Sequence, residues 1–178
     1  MLSNYRTLLV WALALLILSQ LSACGFRLRG QVDVPEELKL VHITGSAEFA
    51  PLTLELKKVL QRSGTRVLSS AAEAQSIITI SNELLRKRVL SVDAQGRAAE
   101  YELIYTLNFS VTKTDAQVIV PEQKIELSRD FRFDPDNVLA KDAEEAQIRK
   151  DMISFAVRQM MRRIDSHLKS GRAAESAT

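Results

Sequence analysis

Four kinds of side chain in this 178-residue chain could do chemistry: two imidazoles, a group of acids, several clustered cations and one thiol. The imidazoles are His42, inside the alternating run Leu38–Thr44, and His167, near the end of a helical pattern. No HExxH, P-loop or GxSxG signature accompanies them, so neither is marked as a ligand or as the base of a nucleophile pair. His42 reads as a half-buried strand residue and His167 as a solvated helix terminus. Asp142, Glu144 and Glu145 could hold a metal or move protons. Acids in the first turns of a helix have a simpler cause, their interaction with the helix dipole. No catalytic residue, metal site or cofactor is expected.

The cations are stronger candidates for a binding role. In Arg86-Lys87-Arg88, strand alternation puts Arg86 and Arg88 on one face and Lys87 on the other. Arg97 lies beside a hairpin tip, and Lys141 stands in the first turns of a helix, where the dipole disfavours a cation. Side chains so placed suit phosphate and carboxylate ligands, which guanidinium holds through paired, charge-assisted hydrogen bonds. The plainer alternative is solvation, or pairing of Arg86 and Arg88 with Glu100 and Glu102 across the hairpin.

The thiol is Cys24, the chain's one cysteine. It closes Leu21-Ser22-Ala23-Cys24 just after the apolar run Leu8–Leu18. That pattern resembles a bacterial lipobox, in which the leader is cut before the cysteine and the cysteine is acylated. The apolar run is shorter than the roughly 20 residues a spanning helix needs, so residues 1–23 read as a signal peptide. Cys24 then begins the mature chain and anchors it to lipid, since several acyl chains on one residue hold where a single chain does not. With Cys24 acylated, no thiol remains for a disulfide. By resemblance to lipoprotein sorting, Gly25 in place of Asp favours the outer membrane.

Composition narrows the rest. The 24 Lys and Arg nearly balance the 22 Asp and Glu, which argues against a nucleic-acid binder. Residues 24–178 suit one domain with a real core.

The elements that must position the cations follow from periodicity. Leu38–Thr44 alternates with apolar residues on both sides, as an interior strand does. Pro51–Arg62 carries Leu52, Leu56, Val59 and Leu60 at helical spacing, with Pro51 suited to the first turn and Gly64 to the position past the end. Thr65–Leu68 is a short strand candidate and Ser69–Gln75 a loop or single turn. Ser76–Val92 and Ala98–Lys113 read as long strands joined by a tip at Asp93–Arg97, where Gly96 supplies positive φ. In the second of them Tyr101, Leu103, Tyr105, Leu107, Phe109 and Val111 share one face, the mark of a half-buried antiparallel strand. A turn over Thr114–Pro121 leads to a strand at Gln123–Phe133, and a helix follows over Val138–Leu168. The order predicts an α+β domain: two helices packed on one face of a mostly antiparallel four-stranded, or slightly larger, mixed sheet. Residues 24–37 form the acylated start and tether, 38–170 the single domain, and 171–178 a flexible tail.

Three short segments carry a family resemblance: Cys24-Gly25-Phe26-Arg27-Leu28-Arg29, Gly96-Arg97-Ala98-Ala99-Glu100-Tyr101-Glu102-Leu103, and Leu139-Ala140-Lys141-Asp142. In combination and spacing the chain resembles the LPS-assembly lipoprotein LptE (rare lipoprotein B) family over nearly all its mature length. The resemblance implies a lipid-anchored partner of the outer-membrane β-barrel LptD, acting as plug and assembly factor in the delivery of lipopolysaccharide to the cell surface. It also implies lipopolysaccharide contact through a basic residue at the hairpin tip and the lysine of Leu-Ala-Lys-Asp. Lys141 matches the latter; at the tip the aligned position is Ala94, with Arg97 nearby. The competing expectation is a generic periplasm-facing scaffold lipoprotein without a lipopolysaccharide role.

Overall fold

The structure, a computed structural model, describes residues 35–175. Cys24, Gly25 and the expected leader lie outside the described residues. A 3-10 turn at Glu36–Leu38 leads into β1 (Leu40–Thr44), α1 (Pro51–Arg62) and β2 (Arg66–Leu68). Another such turn at Ala71–Glu73 precedes three long strands, β3 (Ser76–Val92), β4 (Ala98–Lys113) and β5 (Val118–Arg132). A last 3-10 turn at Pro135–Asn137 opens α2 (Val138–Glu175). The strands form one mixed sheet in the order β2-β1-β3-β4-β5. β1 runs parallel to both its neighbours, and β3, β4 and β5 pair antiparallel. This is the α+β architecture expected, with five strands.

Local chemistry explains the elements. α1 starts on Pro51, buries Leu52, Leu56 and Leu60, and stops at Gly64, whose φ is +90°. There the amide of Gly64 donates to Gln61 O and that of Thr65 to Leu60 O, both at 3.0 Å, so orphan helix carbonyls are satisfied as the chain turns away. Leu103, Tyr105, Leu107, Phe109 and Val111 of β4 are all buried and alternate with partly exposed residues that, apart from Ile104, are polar. They share one core with the α1 stripe and with Met152, Ala156, Val157, Met160, Ile164 and Leu168 of α2.

Two features shape the far part of the sheet. β1 pairs with β3 only as far as Thr79, and Gly45 turns the chain away with φ +85°. A Cβ at Gly45 would stand 2.0 Å from the Ile80 carbonyl oxygen, so only glycine passes so close to β3. Next, the pairing of β3 with β4 jumps from Ser81↔Asn108 to Leu84↔Thr106, a bulge at Asn82, whose φ is +52°. Beyond it β3, β4 and β5 continue as a three-stranded arm ending at the Asp93–Arg97 turn.

Three boundaries differ from expectation. The first strand begins at Leu40, because Glu36–Leu38 closes a 3-10 turn with Leu38 buried. β5 begins at Val118 and includes Pro121, which an edge strand tolerates because a missing N–H there need not break a ladder bond. α2 continues past Leu168 to Glu175; Gly171 meets nothing within 4 Å, and Arg172 is held 3.0 Å from Glu37.

Candidate anion-binding surface on the hairpin arm

The arm presents its cations in three separate settings. Arg86 and Arg88 lie on the face of the sheet away from the helices, opposite Ile104 and Glu102. Arg88 is ion-paired through Nε to Glu102, whose other oxygen accepts from Ser128 Oγ at 2.5 Å. The Ser128 hydrogen bond, followed by Arg88, holds the Glu102 carboxyl below the usual glutamate range. The cross-hairpin pairing expected of Arg88 is thus present. Arg86 is exposed and makes no such pair among the described residues, although its charge helps lower the Glu126 carboxyl after the larger effect of Lys124.

Arg97 belongs to the turn itself. Its amide and its Nε donate to the two oxygens of Asp93, each at 2.8 Å, and the Gln95 amide donates to the same carboxylate at 2.9 Å. The Arg97 amide first, then its side chain, keeps the Asp93 carboxyl low. Lys141 stands in the first turn of α2 and pairs with Glu144 at 2.7 Å, which offsets the unfavourable dipole.

Lys87, by contrast, faces the helix layer. Its Nζ lies 2.5 Å from Glu145 Oε2, 4.2 Å from the centre of the Tyr101 ring and 5.4 Å from that of Phe131. Tyr101 stacks on Phe131 and meets Phe133 edge-on, so the ammonium sits on an aromatic platform. Arg149, one turn along α2, takes the other oxygen of Glu145. Burial pushes the Glu145 carboxyl up, and hydrogen bonds from Lys87 and Arg149 outweigh it, leaving the group low and ionised.

Around these charges the arm exposes aliphatic groups: Val89, Leu90 and Val92 on β3, and Val138 and Leu139 at the start of α2. Cations flanked by open apolar surface suit an amphiphilic anion better than a small soluble one.

A family model described as LptE, Lipopolysaccharide-assembly, matches residues 39–164. The chain is 31% identical over 143 residues to the LPS-assembly lipoprotein LptE of Photorhabdus laumondii, spanning 80% of this chain and 78% of that one. To the protein of the same name from Pectobacterium atrosepticum it is 32% identical over 163 residues, spanning 88% and 83%. The chain belongs to the LptE family. Its fold is similar to that of lipoprotein B from Nitrosomonas europaea, with TM-score 0.70 and 32% identity over 83% of this chain and 94% of that one. The rare lipoprotein B from Shewanella oneidensis is similar too, with TM-score 0.57 and 27% identity over 78% and 97%.

For this LptE-family chain, the structure does not gather Arg86, Arg88, Arg97 and Lys141 into one cluster. Arg86 and Arg88 share the outer sheet face, Arg97 is bound into the turn, and Lys141 lies on α2. Lys87 and Glu145 are the pair that sequence reasoning missed. Alternation separates Lys87 from its neighbours but gives no partner, and the partner is 58 residues away. Glu145 reads in sequence as one more early-helix acid; its place one turn after Lys141 carries no signal of burial. His42 donates from Nδ1 to the Leu68 carbonyl at 3.1 Å and so joins β1 to β2. No helix among the described residues is long and apolar enough to cross a membrane.

Proposed function

We propose that this protein is an outer-membrane lipoprotein, anchored through acylated Cys24, that forms a complex with the β-barrel LptD. In that complex it acts as plug and assembly factor in lipopolysaccharide transport to the cell surface, and its arm contacts the lipopolysaccharide. The observation that carries the reading is family membership over residues 39–164 together with an arm whose cations are bordered by exposed aliphatic side chains. Arg86 and Arg88 on the outer sheet face would take phosphate or carboxylate groups by paired hydrogen bonds, and Val89, Leu90 and Val92 would lie along hydrocarbon. Arg97 and Lys141 would contribute after exchanging Asp93 and Glu144 for ligand oxygens.

Those same ion pairs favour a second reading. Arg88, Arg97 and Lys141 are each already matched within the chain, as in a scaffold lipoprotein without a lipopolysaccharide role. The test is purification of a C-terminally tagged form from outer membranes in mild detergent, followed by lipopolysaccharide binding at low and high salt. A stoichiometric large β-barrel, and binding weakened by the pair Arg86→Asp with Lys141→Asp, are expected. A clean monomer overturns the barrel reading. Affinity unchanged in that double variant at low salt overturns the assigned contact residues.

A further inference from the structure

Strand β3 has two halves with different neighbours. Over Ser76–Thr79 it lies between β1 and β4; farther out, β4 is its one strand neighbour among the described residues. Asn82–Val92 therefore presents a free edge, a row of backbone N–H and C=O groups open to another strand. At about 3.3 Å per residue that edge is roughly 35 Å long, and its regular run is Leu84–Val89, about 20 Å, between the bulge at Asn82 and a second register shift at Leu90–Val92.

The two edges of the three-stranded arm are dressed differently. β5 carries Pro121 near its start and charges of both signs at Glu122, Lys124, Glu126, Asp130 and Arg132, devices that discourage added strands. The free half of β3 exposes Leu84 at 48%, Val89 at 50%, Leu90 at 46% and Val92 at 59%. Leu84 and Val89 sit opposite Thr106 and Tyr101, on opposite faces of the sheet, so the apolar surface borders the edge above and below. Its charge is of one sign except at Glu83, which is occupied by Tyr105 Oη at 2.7 Å.

The charge selects the occupant. A second copy docking antiparallel about the middle of this segment would set Arg86 against Arg88 and Arg88 against Arg86. Like charges directly opposite each other across a strand pair destabilise it. A strand with acids at those positions gains what a second copy loses.

We propose that the free edge Asn82–Val92 accepts an extended segment of another polypeptide by strand addition, with acidic side chains opposite Arg86 and Arg88 and apolar ones opposite Leu84, Leu90 and Val92. Lys87 takes no part, because it is turned inward onto Glu145. This reading goes beyond the lipopolysaccharide role and does not rest on it, since it is argued from the backbone edge, although it draws on the same Arg86 and Arg88.

The test uses the ¹⁵N-labelled full chain in mild detergent and three synthetic probes. One is the acetylated, amidated heptapeptide Val-Val-Glu-Val-Glu-Val-Val, whose two acids share one face with a valine at each end. The second has Lys for Glu. The third is the Glu peptide N-methylated at every residue, which keeps its side chains but cannot donate to a sheet edge. The Glu peptide is expected to shift amide signals of Asn82–Val92, to leave those of Val118–Arg132 in place, and to bind about tenfold or more tighter than either control. Arg86→Glu is expected to remove that preference over the Lys peptide. Equal binding of the N-methylated probe, shifts on β5 or the helices instead, or no binding at all would overturn the proposal. So would concentration-dependent shifts of Asn82–Val92 without peptide, which would make a second copy the occupant.

Discussion

Replacing Glu145 by Gln tests the anchor that ties α2 to the hairpin arm. The Glu145 side chain is 10% exposed, and it faces Lys87 at 33% and Arg149 at 46%. Removing the carboxylate charge leaves two cations facing each other at a part-buried junction. Breaking a fully buried pair costs about 3–5 kcal/mol. Lys87 and Arg149 both reach water and can rehydrate, and Gln keeps hydrogen-bonding capacity, so the expected loss is about 2 kcal/mol at pH 7. In urea this moves the unfolding midpoint by roughly 1 M. The pH dependence carries the sign. The Glu145 carboxyl lies below its ordinary value of 4.5 in the folded protein, so the pair contributes fully above that value and is lost as pH falls through the folded one. The gap between wild type and Glu145→Gln should therefore close below about pH 4.5 and stay constant between pH 6 and 8. The double change Lys87→Met with Glu145→Leu should recover stability to within about 1 kcal/mol of wild type, because apolar replacement removes both desolvation penalties. Urea melts from pH 3 to 8 measure all three. A variant within about 0.5 kcal/mol of wild type at pH 7, or a gap that persists unchanged at pH 3, would refute the reasoning.

Other perturbations test the core and the turns by the same melts. Phe109→Ala, at a fully buried position in the middle of β4, should cost about 3–5 kcal/mol. Gly96→Ala and Gly45→Ala separate backbone strain from collision. Both glycines have positive φ, but a Cβ meets nothing at Gly96 and the Ile80 carbonyl at Gly45, so about 1 kcal/mol is expected for the first and about 3 kcal/mol or more for the second. Thr65→Val should stabilise by about 1 kcal/mol, because the buried Thr65 hydroxyl has no partner among the described residues.

Much of the architecture was legible because local chemistry and tertiary packing agree. Pro51 and Gly64 bracket α1, and the alternation in β4 is nearly unbroken, so both elements stand where periodicity puts them. Disagreement arises where a neighbour overrides the local signal. Pro121 reads as a turn residue, yet lies in β5 because that strand is an edge. Residues 171–178 read as a flexible tail, yet α2 passes through Gly171, with Arg172 tied to Glu37. Of the candidate surface, the cations were legible by type and spacing, and so was the pairing of Arg88 with Glu102. The pairing of Lys87 with Glu145 was not, because it depends on a helix residue 58 positions away.

One residue decides how the cations of the arm are divided. Ile78 and Ile80 face the helix layer from even positions of β3, whereas Leu85 and Lys87, registered with Tyr105 and Leu103, face it from odd ones. A strand of strict period two cannot do both. The bulge at Asn82 changes the parity, and asparagine is among the few non-glycine residues that take positive φ readily. Were alternation to continue unbroken from Ile80, Arg86 and Arg88 would face the helix layer, and both cations would crowd the side of the arm next to α2. Lys87 would then face outward, and Glu145 would keep Arg149 but lose its link to the arm. The bulge instead sends one cation of the three inward, as the anchor of α2, and leaves two outward where a ligand can reach them. A left-handed residue in mid-strand thus links the packing of the arm to the exposure of its outer cations.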